Sequence, residues 1–269
     1  MPLPYHIVVC GSIVPNPLQT LDPQTGPNGP SLKNEMMLPA VLDPWASHAL
    51  YEAAHLARSR TGSKVWLVSL APKAKLQQVM MNVAQKVPLE LVAVDGSASG
   101  FTEASEIAAA LAKAISGISG LDQTRLLLFG GWESASRGSG AVMQMLAEQM
   151  GIREQFQGVD SLEATDDELF ILKERVEGGR YQVSTCQGLP LMVGWATGNL
   201  PEPKNNPQVG MLNMKSIMPA LQKATALNLK VDEKRFLSVE LPKQKRETRI
   251  EKNLDSTRIA QEIVAWIQS

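Results

Sequence analysis

Four nearly continuous apolar runs punctuate the first half of the chain: residues 6–10 (HIVVC), 64–70 (KVWLVSL), 89–94 (LELVAV) and 126–129 (LLLF). Runs that do not alternate with polar residues mark strands buried on both faces of a parallel sheet. Helical periodicity fills the intervals. Asp43-Pro44 opens a first helix, with Asp43 as N-cap and Pro44 at the first helical position. Trp45, Ala49, Ala53 and Leu56 give it a core-facing stripe, and His48, Glu52 and His55 lie toward the other side. A second helix follows Pro72 to about Lys86, and Thr102 caps an alanine-rich third helix to residue 115. The proline- and glycine-rich segment 11–40 reads as a long loop or an extended arm.

The fourth run leads into the stretch that organises the chain, residues 126–148 (LLLFGGWESASRGSGAVMQMLAE). Gly130 and Gly131 end the strand, residues 136–140 (SRGSG) form a glycine-rich turn, and Val142, Leu146 and Gln149 lie on one stripe of the next helix. Met143, Met145, Ala147 and Met150 lie beside that stripe. Repeated strand–helix units with buried strands predict a three-layer α/β fold, a doubly wound and mostly parallel sheet with right-handed crossovers. The pattern changes after Gly151. Residues 155–163, 168–176, 181–186 and 191–195 read as shorter strands of an antiparallel addition, with turns at Asp166-Asp167 and Glu177-Gly178-Gly179. A loop over residues 198–212, a short helix 214–223 interrupted by Pro219, and a charged tail from Asn228 follow. Asp255 or Ser256 caps a last amphipathic helix carrying Ile259, Ile263, Trp266 and Ile267. The chain divides into a domain over 1–225, its antiparallel part from about 152, and a C-terminal arm over 226–269 that packs on the domain or on a partner.

Composition narrows the function classes. A formal charge of −1 over 269 residues gives no basic field for nucleic acid, and 5% aromatic residues argue against stacking platforms. The basic run Lys243, Lys245, Arg246, Arg249 and Lys252 is interleaved with Glu247 and Glu251, as on a solvated face. Two cysteines, no signal-peptide pattern and no apolar stretch of roughly 20 residues lead to the expectation of a soluble, cytoplasmic protein, not inserted in a membrane. His48 and His55 are two helical turns apart without a third ligand, so no metal site is expected. Nothing resembles a nucleophile elbow or an acid–base pair, and binding is the stronger theme.

The glycine-rich turn is the candidate. A helix start offers unpaired N–H groups and the positive end of its dipole, glycines admit an anion close to the backbone, and Arg137 adds charge. The same residues also read as an ordinary strand-to-helix loop with Ser139 as N-cap, and Walker and G-x-G-x-x-G spacings are absent.

Taken as a whole, residues 5–225 resemble the beta subunit of electron transfer flavoproteins. HIVVCGSIVP is similar to that family's IVVCVKQVP start, LDPWASHALYEAAHLAR to its NPYDEYALEEALRLK helix, and WLVSLAP to VVSLGP. GWESASRGSGAVMQMLAEQMGI aligns without a gap on GRQAIDGDTGQVGPMLAELLGL. RVEGGRYQV is similar to the REVEGG hairpin, LPLMVGWATGNLPEP to LPAVVTV followed by LNEPR, and NMKSIMPALQK to SLKGIMKAKKK.

The resemblance implies an adenine-nucleotide-binding, Rossmann-like domain acting as an electron carrier, with no substrate conversion of its own. It implies a heterodimer with an alpha subunit and one FAD held mainly by alpha. A flavin-dependent dehydrogenase is the implied donor, and a quinone oxidoreductase or another protein the acceptor. The beta site holds AMP, or a second FAD in flavin-bifurcating members. Matching positions are Cys10, Asp43 (the family's asparagine), Leu70, Gly131 and the loop Ser136, Arg137, Gly138, Ser139, Gly140, Ala141 and Val142. The family's two loop aspartates are Ser136 and Gly138 here, and its first-strand lysine is Ser12, which makes the loop more receptive to phosphate. The implied docking loop spans about 198–218, is lengthened by residues 205–212, and carries Met211, Leu212 and Met214 as apolar anchors. The same methionines and leucine also read as the core of a short helix. Two other readings stay open: a stand-alone ATP- or AMP-binding regulatory protein of universal-stress type, and a scaffold whose turn binds nothing.

Overall fold

The computed structural model describes residues 3–26, 29–96, 102–227, 238, 240 and 250–268. In chain order the elements are β1 (His6–Cys10), β2 (Ile13–Pro15), β3 (Pro23–Gly26), β4 (Gly29–Leu32), β5 (Ala40–Leu42), α1 (Pro44–Ser59), β6 (Lys64–Ala71), α2 (Lys73–Val83), β7 (Glu90–Gly96) and α3 (Ala104–Ser116). There follow β8 (Leu126–Gly131), α4 (Ala141–Gln149), β9 (Glu154–Ala164), β10 (Leu169–Val176), β11 (Arg180–Gln187), β12 (Leu191–Trp195), α5 (Pro207–Lys223), β13 (Thr225–Leu227) and α6 (Ser256–Gln268).

Nine strands form one sheet in the order β11-β10-β9-β12-β8-β1-β6-β7-β13. From β9 to β13 every neighbouring pair is parallel, and only β9–β10 and β10–β11 are antiparallel. Alternate residues feed opposite faces, as the strand period requires. Ile7, Val9, Leu67, Leu127 and Phe129 join α1, α2 and α5 in one core. Val8, Cys10, Val68, Leu126 and Leu128 join α3 and α4 in the other. The three-layer, doubly wound α/β architecture is therefore the one the buried runs predict.

Several local expectations are corrected. Residues 191–195 are not part of the antiparallel addition: β12 lies inside the parallel sheet between β8 and β9, and all five of its residues are buried. Segment 11–40 is neither a plain long loop nor an extended arm, because β2 pairs with β5 and β3 with β4 in two small antiparallel ladders. The buried face of α1 is Ala46, Ala49, Leu50, Ala53 and Ala54, so Trp45 and Leu56 sit at its margins. In α4 the buried residues are Met143, Leu146 and Ala147, while Met145 is exposed. The N-cap position of α3 is Glu103 rather than Thr102. Helix α5 starts at Pro207 and runs through Pro219 without a break, so residues 207–212 are helical rather than loop. The Asn206 side chain caps it, accepting from the N–H groups of Gln208 and Val209 at 3.0 and 3.4 Å.

Strand β9 changes partner along its length, pairing in parallel with β12 through its first half and antiparallel with β10 through its second. Gly158, at φ +66°, is the extra residue of a β-bulge opposite Gly194 and Trp195, and the register shifts again opposite Lys173 and Glu174.

Residue contacts divide the chain into two units, Met1–Ser238 and Val239–Ser269. In the second, Asp255 caps α6 by accepting from Arg258 N–H at 2.8 Å. The glycine/serine turn after Gly96, the tail over 228–237 and the basic residues Lys243, Lys245, Arg246 and Arg249 lie outside the described residues. Among the described residues no helix is long and apolar enough to cross a membrane.

Candidate functional site

At the carboxyl ends of β1, β6 and β8 a cleft of about 480 Å³ opens against the N-terminal end of α4. Open α/β sheets place their ligands at such strand ends, where loops diverge to the two helical layers. Cys10, Asp43, Leu70, Gly131, Ser136, Arg137, Ser139, Gly140, Ala141 and Val142 all line it, although they come from four separated stretches of sequence. Gly138 is the exception. It is exposed at φ +68° and does not form part of the cleft wall.

The loop between β8 and α4 is held by its own backbone. Ser134 accepts from Arg137 N–H through its hydroxyl at 3.1 Å and from Gly138 N–H through its carbonyl at 2.9 Å, closing a turn. Asp43 accepts from Ala135 N–H at 2.8 Å with one carboxylate oxygen and from Trp45 N–H at 3.1 Å with the other. The expected N-cap is corrected here: Gly140, at φ +64°, occupies the N-cap of α4 and no side chain caps it, so Ser139 lies one residue too early. The first-turn amides of α4 are thus left without the side-chain oxygen that usually covers a helix start. Two glycines let the backbone fold this closely. A Cβ on Gly131 would come within 2.6 Å of the Glu133 carbonyl oxygen, and one on Gly140 within 2.9 Å of the Trp132 carbonyl oxygen.

Burial pushes the Asp43 carboxyl up to about 6, despite the N–H groups of Ala135, Trp45 and Ala46 that favour its charged form; nearby Glu133 pushes the same way as burial. Burial also pushes the Cys10 thiol up to about 12, so Cys10 is a packed neutral wall residue and not a nucleophile. The chemistry available is binding: an uncapped helix start, an arginine on the loop, and apolar walls from Leu70, Ile107, Leu111 and Val142.

Sequence reasoning missed Met36 and Lys75, which also line the cleft. Lys75 sits in the first turn of α2 and donates to the Glu35 carbonyl at 3.2 Å. The strand-end rule that selects Leu70 extends naturally to that turn, since only Pro72 separates β6 from α2. Nothing in the pattern marks Met36, which reaches the cleft from the short helical turn after β4.

The expected docking residues lie on α5, outside the cleft wall. Met211 and Leu212 are 73% and 64% exposed, whereas Met214 is half-buried and packs against the core. An ion pair between buried Asp160 and exposed Arg175 links β9 to β10: Arg175 donates to both oxygens of Asp160 at 2.9 and 3.0 Å and to the Thr197 hydroxyl at 2.9 Å. Burial opposes ionisation of Asp160, but the hydrogen bonds from Thr197 and Arg175 outweigh it and hold its pKa below the usual carboxylate value.

The family model described as electron transfer flavoprotein domain matches residues 34–226, most of the chain. No curated protein matches the chain.

Proposed function

Because the chain belongs to the electron transfer flavoprotein domain family, we propose that it is the beta-type subunit of such a carrier, working in a heterodimer with an alpha-type chain. The family consists of electron carriers that bind flavin, and the stand-alone stress-protein reading is not favoured by the match. In this proposal the alpha chain holds most of a shared FAD. The cleft at the ends of β1, β6 and β8 takes AMP, or a second FAD, with its phosphate toward residues 136–142. The observation that carries the reading is the convergence of Cys10, Asp43, Leu70, Gly131 and the loop before α4 on one cleft facing an uncapped helix start.

The residues fit such a ligand. Glycines at 131 and 140 keep side chains off the backbone, Arg137 and Lys75 supply positive charge, and Ile107 and Leu111 offer apolar wall to a base. The chain's own work is to bind and orient the nucleotide, and to present Met211 and Leu212 to a flavin-dependent dehydrogenase donor. A quinone oxidoreductase or another protein is the acceptor.

Co-expression with a neighbouring alpha-type chain tests this. A yellow one-to-one complex is expected, and acid extraction followed by chromatography should release AMP or a flavin in excess of one per heterodimer. A colourless chain that ignores the alpha-type partner and releases no nucleotide would overturn the reading.

A further inference from the structure

We infer that Asp43 is the positioning residue of the nucleotide loop: its ionised carboxylate clasps the loop to the start of α1, and nucleotide affinity depends on that clasp. The inference rests on the nucleotide reading of the cleft given above.

Asp43 stands where three walls of the cleft meet. Its backbone N–H donates to the Ser12 carbonyl at 2.9 Å, which ties it to the turn after β1. One carboxylate oxygen accepts from Trp45 N–H in the first turn of α1, and the other accepts from Ala135 N–H in the loop after β8. The residue is 1% exposed, so water cannot replace either bond.

Only an ionised carboxylate meets both demands. An asparagine of the same shape offers one acceptor oxygen and turns its NH₂ group toward the other N–H, donor against donor. A protonated carboxyl keeps acceptor capacity, but its hydroxyl oxygen accepts more weakly than a carboxylate oxygen, so one of the two amide bonds loses strength. The clasp is therefore engaged when Asp43 is charged and loosened when it is neutral. Burial brings that change to about pH 6, within reach of neutral conditions. Glu133 on the loop is the charged neighbour that raises it further, and Glu35, Lys75 and Arg137 line the same cleft from the turn after β4, from α2 and from the loop.

Two measurements on the full chain test the inference: AMP affinity by titration calorimetry, and the hydrogen-exchange protection factor of the Ala135 amide. Each is made on wild type and on Asp43→Asn between pH 7.5 and pH 5.5. Asp43→Asn should weaken AMP binding about tenfold at pH 7.5, the loss that follows when one buried N–H is left unpaired. Wild type should approach the variant at pH 5.5, because titration of AMP itself is common to both and cancels in the ratio. Protection of Ala135 should be lost in the variant and should fall in wild type as the pH drops through 6. Equal AMP affinity in the two proteins, or Ala135 protection that ignores both substitution and pH, would overturn the clasp. A wild type that protects Ala135 but binds no AMP, ADP or FAD would overturn the nucleotide reading, and with it the clasp's role in binding. If Asp43→Asn does not fold, the wild-type pH profile of Ala135 protection decides alone.

Discussion

Asn213 reaches from α5 to three backbone groups around the connection between α2 and β7. It donates to the carbonyls of Ala84 and Val87 at 2.7 Å each and accepts from Leu89 N–H at 3.1 Å, all in the interior. Asn213→Ala leaves those groups unpaired and should cost about 2–4 kcal/mol in urea denaturation, with the m-value unchanged. At Gly140 the obstacle is steric. Gly140→Ala combines a Cβ placed 2.9 Å from the Trp132 carbonyl with a left-handed φ of +64°. It should cost about 1–3 kcal/mol and weaken nucleotide binding at the same time. Asp43 has a stability signature with its own sign. Its carboxyl is raised from 3.8 to about 6, so the native state holds the proton more tightly than the unfolded chain. That contribution is complete below about pH 4 and is lost as pH rises through 6. In thermal melts, wild type should therefore gain on Asp43→Asn as the buffer is taken from pH 7 down to pH 4. The fold is then least favoured at the pH where the loop is best ordered.

Helix starts show what could and could not be read from the chain. Asp43-Pro44 is legible as N-cap and first helical residue, and the structure bears it out. Asn206-Pro207 has the same form but is hidden in a segment full of Pro, Asn and Gly that reads as loop, and Pro219 argues against continuing a helix there. Tertiary contacts decide that case, because Ile217 and Leu221 are buried in the core and carry α5 on past the proline. Pro219→Ala restores one intrahelical hydrogen bond at an exposed site and should raise stability by about 1–3 kcal/mol, read from the shift in denaturation midpoint. The buried strands β1, β6 and β8 are legible because both their faces are covered, and they carry the strand-end residues of the cleft. Strand β12 has the same continuous apolar run, but its hairpin neighbours suggested an antiparallel setting. Its parallel pairing with β8 is set by residues more than sixty positions earlier, which no local window contains. For the same reason Lys75 and Met36 escape notice: their place in the cleft follows from packing between elements.

At the level of the whole molecule, the proposed nucleotide cleft and the proposed docking surface belong to different parts of the unit Met1–Ser238: the first to strand ends and the loop before α4, the second to the outer side of α5. Replacing Met211 and Leu212 together with aspartate should thus leave the melting temperature within a few degrees. The same double variant should slow electron transfer from the native donor on the order of tenfold, as loss of apolar anchors does at transient interfaces. Unchanged transfer would remove α5 from the donor contact. The edge of the sheet holds a different lesson. Phe156, Val159, Leu162 and Ala164 of β9 all enter one core, at intervals of three, three and two, which a regular strand cannot achieve. Gly158 and the second register shift reset the count. Two spare positions, not one, thus set parity along this strand. Excise the glycine and Phe156 and Val159 stand two apart, still on one face, so the sidedness survives; what goes is the local bend and added twist with which the strand leaves β12 for β10.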